Sequence, residues 1–108
     1  RPRAGSAAYT ATKGAVEAFS RSLAIEAAEH GVRVNCIAPG LVRSDIYLAA
    51  GMSSEDYAKL LQARAAEMPL KRVGEPEDIC GLVSYLASNK SSWITGQCFA
   101  VDGGAMLR

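Results

Sequence analysis

The fold is decided by the stretch Gly31-Val-Arg-Val-Asn-Cys-Ile-Ala-Pro-Gly40. The run from Val32 to Ala38 is short, mostly apolar and rich in β-branched residues, a composition that favours a strand. Pro39-Gly40 indicates its end, because proline cannot donate a hydrogen bond to a central ladder. Gly31 suits the left-handed conformation that ends a helix. A helix joined to a strand by so short a turn is half of a βαβ unit, so we predict a parallel sheet.

The segment before this stretch predicts one long helix, from about Ser6 to Glu29. Apolar side chains recur in it at spacings of three and four, at Val16, Phe19, Leu23 and Ala27. A second stripe consists of small residues, Ala11, Ala15, Ala18 and Ser22. Because this helix is apolar on more than one side, we expect it to need several packing partners.

Two more helices are predicted after the strand. Ser53-Ser-Glu-Asp begins one that runs to about Glu67, with a hydroxyl cap and acidic residues in its first turn. Gly74-Glu-Pro-Glu-Asp begins another, with Pro76 in the first helical position. The buried stripe of this last helix is expected at Ile79, Leu82, Val83 and Leu86.

A second strand is predicted from about Gln97 to Val101, ending in the turn Asp102-Gly-Gly104. The strand that begins at Val32 should be buried on both faces, yet two strands and these helices are too few to bury it. The chain therefore looks like the second half of an α/β domain. It begins at Arg1 without an initiator Met, so we expect it to begin inside a longer protein.

Composition disfavours several classes of function. The 108 residues carry a net charge of +1, which gives no electrostatic reason to expect nucleic acid or an acidic membrane surface as partner. No apolar run approaches the roughly 18 residues of a membrane span. Cys36, Cys80 and Cys98 lack metal or disulfide spacing, so we expect no metal site and buried, reduced thiols in a cytoplasmic protein. The single histidine, His30, is expected to favour a helix end rather than to act in catalysis.

Tyr9 and Lys13 carry the clearest chemistry. They stand four apart in the first predicted helix, so both side chains project from one face. A fixed positive charge beside a phenol favours the phenolate, which gives this pair the parts of a proton donor or acceptor. The same spacing is also common in solvated surface pairs, and both interpretations stay open on these two residues alone.

Motifs along the whole chain resemble the short-chain dehydrogenase/reductase family, classical type. They are Tyr9-Thr-Ala-Thr-Lys13-Gly-Ala-Val, Val32-Arg-Val-Asn-Cys-Ile-Ala-Pro-Gly40, Arg72-Val-Gly-Glu-Pro-Glu-Asp, Ile94-Thr-Gly-Gln and Val101-Asp-Gly-Gly. The resemblance implies an α/β fold, the C-terminal part of a Rossmann-like doubly wound parallel sheet whose N-terminal nucleotide-binding half is absent. Residues 1–108 would then be the C-terminal half of a single domain, with the catalytic helix, the substrate loop and the last two strands.

The resemblance also implies an NAD(P)-dependent oxidoreductase that moves a hydride between a nicotinamide cofactor and a carbonyl or secondary alcohol. Tyr9 would be the general acid/base, and Lys13 would favour its phenolate and hydrogen-bond the cofactor ribose. The cofactor, NAD or NADP, would contact Tyr9, Lys13, Pro39, Gly40, Leu41, Val42 and Ser44. From the residues alone, Pro39-Gly40 also fits a plain turn, and Ser44 also fits a turn or cap hydroxyl.

The stretch from Leu41 to Met68 resembles the family's mobile substrate loop. Its apolar and aromatic residues favour a substrate with apolar character: Ile46, Tyr47, Leu48, Met52 and Tyr57. Long loops of this kind often close over active sites. Ordinary packing under a loop would use the same residue types, so both interpretations stay open.

Parts of the family's site do not occur in this sequence, namely the glycine-rich phosphate loop, the Asn-Ala-Gly motif and the catalytic serine. Ser6 lies too close to Tyr9 to be that serine and is expected to cap the helix or touch substrate. We therefore expect the chain alone to be inactive, and the choice between NAD and NADP stays open. The alternative is a truncated chain that acts only in assembly. An epimerase or dehydratase of the extended branch is disfavoured by the ending Gly96-Gln-Cys-Phe-Ala-Val-Asp-Gly-Gly104.

The expected partners are a small-molecule substrate, further copies of the chain in a homotetramer or dimer, and the missing N-terminal half. The first helix and the region from Gly74 to Leu107 resemble the family's subunit-contact surfaces. No nucleic acid or membrane is expected among the partners.

Overall fold

A computed structural model of the chain describes residues 4–107, and residues 1–3 and 108 lie outside this described part. The elements in chain order are α1 (Ala7–Ala28), β1 (Cys36–Pro39), α2 (Ile46–Ala49), α3 (Ser54–Glu67), α4 (Pro76–Ala87) and β2 (Cys98–Val101). Short 3-10 turns cover Asn89–Ser91 and Ala105–Leu107. The predicted order of helices and strands is confirmed, and the four-residue helix α2 is an addition to it.

Strands β1 and β2 pair in parallel, as the sequence predicted. The amide of Cys36 donates to the carbonyl of Gln97 at 2.8 Å, and the amide of Gly40 donates to the carbonyl of Val101 at 2.9 Å. Both strands advance by the same number of residues between these two bonds, which only a parallel pair allows.

Strand β1 is shorter than predicted at its start and includes the proline that was expected to end it. The segment 32–35 is held to its neighbour largely by side chains: the Thr95 hydroxyl accepts from the Val34 amide at 3.1 Å, and the Asn35 side chain donates to the carbonyl of Ile94 at 2.9 Å. Pro39 is tolerated because Cys36 and Gly40 direct their amides at β2, so the nitrogen of Pro39 points away from it.

All three predicted helices begin where the sequence indicated, and one expected side-chain cap does not form. The Ser53 hydroxyl caps α3 by accepting from the amide of Asp56 at 3.1 Å, and α4 begins at Pro76 as predicted. Of the two roles expected of Ser6, the cap on α1 is wrong, because its side chain makes no capping hydrogen bond and its hydroxyl lies 3.4 Å from that of Thr10. A contact with substrate stays a prediction.

The chain divides into two compact units. The first unit comprises residues 1–38 and 83–99, and the second unit comprises residues 39–82 and 100–108. The second unit contains an apolar core of Tyr57, Leu61 and Val73, each at most 8% exposed. Partly buried side chains pack against this core, namely Leu41, Leu48, Met52, Leu60 and Ala65.

The first unit is held together by polar contacts at the end of α4. The Arg33 guanidinium donates to the carbonyls of Leu86 at 2.8 Å and Ser88 at 3.1 Å. The hydroxyl of Ser91, which is 1% exposed, lies 2.9 Å from the carbonyls of Tyr85 and Leu86. These groups satisfy the carbonyls that a helix leaves unpaired at its C-terminus. Between residues 4 and 107, the only buried residues of this unit are Ser91 and Ala24.

Several predicted burials are wrong for this chain, and the reason is the shortage of covering elements that the sequence indicated. The strand segment is not buried on both faces, since Val32 is 53% exposed and Ala38 is exposed. Val83 of the expected buried stripe is 49% exposed. The cysteines are free but not buried: Cys80 is exposed and the other two are half-buried. The accessible area, 7824 Å², exceeds the value of about 5,800 Å² expected for a folded monomer of this mass.

Candidate active site

Tyr9 and Lys13 lie on the first two turns of α1, in the first unit. The Lys13 ammonium nitrogen is 5.4 Å from the centroid of the Tyr9 ring, within the range of a cation–π contact. The spacing of four residues therefore brings the two side chains together, as helical geometry requires. Tyr9 is 64% exposed and Lys13 is also exposed, so both are open to another molecule.

The hydrogen-bond donors of the Lys13 ammonium are not used by a carboxylate of the described residues. Across residues 4–107 it takes part in no ion pair, whereas Arg21, two turns further along α1, is held by Glu17 at 2.6 Å. The Tyr9 hydroxyl likewise makes no hydrogen bond within that range; its backbone carbonyl accepts from the Thr12 hydroxyl at 2.8 Å. An ammonium with three donors and a phenol that both donates and accepts fit a ligand rich in hydroxyl groups, such as a ribose.

The segment that follows β1, residues 39–44 of the second unit, is pinned by backbone hydrogen bonds. Gly74 accepts from the amide of Arg43 and donates to the carbonyl of Leu41, both at 2.9 Å, which makes a parallel bridge at Val42. Within the part of the chain that the structure describes, the amides of Leu41 and Val42 make no hydrogen bond. These two donors are held on a fixed backbone and can serve a bound polar group.

Gly40 is required by packing. A Cβ placed on it would lie 2.7 Å from the Cα of Asp102 and 2.8 Å from its Cβ, closer than real Cβ atoms come. The Asp102 carboxylate is itself fixed, because it accepts from the amides of Gly104 at 2.9 Å and Met106 at 3.0 Å. The Asp102-Gly-Gly turn is evident in the sequence, whereas its close approach to Gly40 is not. The contact arises because the pairing of the two strands places Gly40 opposite Asp102.

Ser44 and Tyr57 are joined through the Ser44 backbone. The Tyr57 hydroxyl accepts from the Ser44 amide at 3.1 Å and donates to the Ser44 carbonyl at 2.8 Å. Tyr57 is 8% exposed, so this residue of the expected substrate loop serves the core and anchors the start of the loop. The Ser44 residue is exposed, which leaves its hydroxyl accessible to a ligand.

The other substrate-loop residues divide by exposure. Ile46 and Tyr47 are 68% and 38% exposed, whereas Leu48 and Met52 pack against the core of the second unit. The rings of Tyr47 and Tyr57 are 5.9 Å apart at 32°, so Tyr47 has one side on the core and one side in solvent. Ile46 and Tyr47 are therefore the members that a substrate could contact.

Two ion pairs fix the start of α4 in the second unit. The Arg72 guanidinium makes two bonds to the Asp78 carboxylate, at 2.6 and 2.7 Å, and Arg43 contacts Glu75 at 2.9 Å. The Arg72 hydrogen bonds, together with one from the amide of Glu75, hold the pKa of Asp78 well below its usual range. The same pairing raises the pKa of Arg72. Arg72 and Asp78 lie in the motif Arg72-Val-Gly-Glu-Pro-Glu-Asp, and their contact was not predicted from the sequence.

Two features are absent from the described residues. Between residues 4 and 107, no group of three or more His, Cys, Asp or Glu side chains is placed to hold a metal ion. In the same range, no helix has the length and apolar character to cross a membrane.

Comparison with known proteins defines the class. Residues 1–106 match a family model described as enoyl-(acyl carrier protein) reductase. Tetrahydroxynaphthalene reductase of Pyricularia oryzae is 39% identical over 110 residues, which cover 94% of this chain and 38% of that protein. The chain belongs to the short-chain dehydrogenase/reductase family.

Solved structures agree with this assignment. A short-chain dehydrogenase/reductase of Caenorhabditis elegans, determined with cofactor, matches 92% of this chain and 38% of its own at 34% identity and a TM-score of 0.85. A small-chain dehydrogenase in complex with NADPH matches 98% of this chain and 46% of its own at 34% identity and a TM-score of 0.82. The chain thus spans about two fifths of the length of its relatives, and it corresponds to the C-terminal part of their α/β Rossmann fold.

Proposed function

We propose that this chain supplies the proton-transfer residues of an NAD(P)-dependent oxidoreductase that interconverts a carbonyl compound and a secondary alcohol. The observation that carries the proposal is the pair on α1: an exposed Tyr9 phenol with the Lys13 ammonium 5.4 Å from its ring and no carboxylate paired to that ammonium within residues 4–107. Membership of the short-chain dehydrogenase/reductase family supports it.

The cofactor is NAD or NADP, which supplies or accepts the hydride. The residues proposed to hold it are Tyr9, Lys13, Pro39, Gly40, Leu41, Val42 and Ser44. Lys13 would hydrogen-bond a ribose hydroxyl, and the amides of Leu41 and Val42, which make no hydrogen bond within residues 4–107, would offer donors to a carboxamide or phosphate oxygen. Support comes from the NADPH complex and the cofactor-bound structure among the relatives.

Proton transfer is the work of Tyr9. In the reducing direction its hydroxyl donates a proton to the carbonyl oxygen as that oxygen becomes a hydroxyl, and in the oxidising direction the phenolate accepts the proton. Lys13 stabilises the negative charge that develops on the Tyr9 oxygen. The exposed side chains of Ile46 and Tyr47 favour a substrate with apolar character.

The second candidate function is a chain that acts only in assembly. It is favoured by the apolar face of α1, where Val16 is 52% and Phe19 is 65% exposed. Such a chain would contribute surface but no proton transfer, so substitution of Tyr9 separates the two functions.

The first test replaces Tyr9 with phenylalanine in the protein made from its full reading frame, with the oxidation of NADPH or NADH by a panel of carbonyl compounds as assay. Tyr9→Phe removes the proton donor and keeps the ring, so turnover should fall by about 10²–10⁴-fold with little change in cofactor affinity. Tyr85→Phe, at an exposed tyrosine of α4, is the matched control and should keep full activity. Near-normal turnover by Tyr9→Phe would refute the role of Tyr9 and favour the assembly function.

The second test concerns Lys13. Lys13→Ala should lower turnover and weaken cofactor binding together, because one ammonium serves both the phenol and the ribose. Lys13→Arg should restore only part of each, since a guanidinium fork does not replace a point charge. Lys90→Ala is the control at another exposed lysine of the same unit. A cofactor dissociation constant that Lys13→Ala leaves unchanged would show that the ribose contact is wrong.

A further inference from the structure

Cys36 and Cys98 lie opposite each other in the ladder between β1 and β2, in the first unit. In a parallel pair, a residue whose amide bonds to the carbonyl of one residue faces the next residue of the partner strand. The amide of Cys36 bonds to the carbonyl of Gln97, so Cys36 faces Cys98 and both side chains leave the same face of the sheet.

The separation of the two residues suits a covalent bond between the sulfurs. Neighbouring strands lie about 4.8 Å apart, and disulfides join residues whose Cα atoms are about 4.4–6.8 Å apart. The two thiols also interact: burial raises the pKa of the Cys98 thiol, and the hydrogen bond with Cys36 raises it further. Glu17 of α1 raises the pKa of the same thiol and Arg21 lowers it, and the two charged side chains are paired with each other at 2.6 Å.

We propose that Cys36 and Cys98 are an oxidative modification site that closes to a reversible intrachain disulfide on exposure to a peroxide. The proposed oxidoreductase activity does not use either sulfur, so this site is separate from it. Both cysteines are free in the structure, and both are half-buried.

The reaction balances with hydrogen peroxide as the oxidant. The Cys36 thiol first releases its proton, the thiolate sulfur attacks one peroxide oxygen as the O–O bond breaks, and the departing hydroxide combines with that proton to leave as water. The Cys98 sulfur then attacks the resulting sulfenic acid, the S–S bond forms as the S–O bond breaks, and the hydroxide leaves with the second thiol proton as water. The two thiols lose two electrons and two protons, and the peroxide gains them.

Cys80 provides the internal control. It lies on α4, is exposed, and has no position in the strand ladder. Three cysteines allow three intrachain pairings, so selective formation of one pairing reports the geometry of the folded chain. In concentrated urea the same three thiols should pair with little preference.

The experiment treats the full chain with hydrogen peroxide, alkylates the remaining thiols, and maps disulfides by peptide mass spectrometry, with circular dichroism confirming that the sample is folded. The wild type and Cys80→Ser should each lose the mass of two hydrogens, with the bond mapped to Cys36 and Cys98 and restored to thiols by dithiothreitol. Cys36→Ser and Cys98→Ser should show no such loss of mass within a single chain.

Two results would overturn the proposal. One is a folded wild-type chain that gives the same mixture of pairings as the chain in urea. The other is a folded Cys80→Ser chain in which both remaining thiols stay open to alkylation after peroxide has oxidised an added low-molecular-weight thiol in the same sample.

Discussion

The two units of the chain are stabilised in different ways. In the second unit, Tyr57, Leu61 and Val73 form an apolar core and the ion pair between Arg72 and Asp78 fixes the start of α4. In the first unit, the strongest interactions described are polar ones around Arg33 and the C-terminus of α4, while the apolar side chains of α1 face solvent. The residues proposed for proton transfer therefore lie on the unit that buries less apolar surface.

Because of this difference, we expect the first unit to need apolar contacts from other surfaces. Apolar burial is the dominant favourable contribution to folding, and the first unit has little of it. A helix whose apolar stripe lies in solvent, with Val16 52% and Phe19 65% exposed, is stable only when other surfaces cover that stripe. Three measurements test whether the two units differ in this way.

The largest effect is expected in the association state of the chain. Because so much apolar surface of α1 is exposed, the 11.4 kDa chain should not persist as a folded monomer. It should be found as an oligomer, or together with further protein that covers the helix. Sedimentation and light scattering, with thermal unfolding as the check of folding, test this. A compact 11.4 kDa monomer that melts cooperatively would contradict it.

The next effect compares two isomeric side chains, one from each unit. Leu61 is 6% exposed in the core of the second unit, and Ile25 is 80% exposed on α1. Leu61→Ala should lower the free energy of unfolding by about 2–5 kcal/mol, because it leaves a cavity. Ile25→Ala removes the same atoms from the surface and should change it by about 0.5 kcal/mol or less. Denaturant unfolding of both variants measures the difference.

Equal losses of stability in these two variants would contradict the difference between the units. They would show that Ile25 is covered in solution as well as Leu61 is, which would identify the surface used in association. Leu70→Ala, at a leucine of the second unit that is 66% exposed, controls for the chemistry of the substitution.

The smallest effect is in the pH dependence of stability. Because the paired Arg72 holds the pKa of Asp78 below its usual range, the carboxylate stabilises the fold at neutral pH. That contribution is lost as the pH falls below about 4, the ordinary value of an aspartate, towards the lowered value. Asp78→Asn should therefore be less stable than the wild type at neutral pH, and the difference should vanish in acid.

The control for this pH effect is Glu77→Gln, which removes an acidic side chain of the same helical turn. Its stability relative to the wild type should lack the acid dependence of Asp78→Asn. High salt should shrink the effect at Asp78, because the pair is partly exposed to solvent. A difference that grew on acidification would have the wrong sign for a lowered pKa.

The sequence was sufficient to predict the features that are local. The start of α3 at Ser53, the start of α4 at Pro76 and the left-handed Gly31 follow from single residues whose backbone preferences are strong. The contact between Tyr9 and Lys13 follows from helical spacing alone. These predictions needed no knowledge of distant parts of the chain.

The features that the sequence did not predict depend on long-range contacts. Strand β1 starts only at Cys36, since the side chains of Thr95 and Asn35 make part of the contacts of the preceding residues and one backbone bond, from the Gly96 amide to the Val34 carbonyl, accompanies them. The need for glycine at position 40 comes from Asp102 on the neighbouring strand. The roles proposed for Ser44 and the substrate loop stay predictions, as does the single-domain organisation.

The hydrogen bonds from the Arg33 guanidinium to carbonyls at the end of α4 and beyond it have a consequence for the order in which a newly made chain folds. The acceptor at Ile94 lies 61 residues further along the sequence. At about 5–20 residues per second, a ribosome needs about 3–12 s to add that distance. The segment of α1, with its apolar side chains, is therefore fully synthesised for seconds before the carbonyls that receive the Arg33 guanidinium exist. During synthesis this helix is the segment that a molecular chaperone would protect from aggregation.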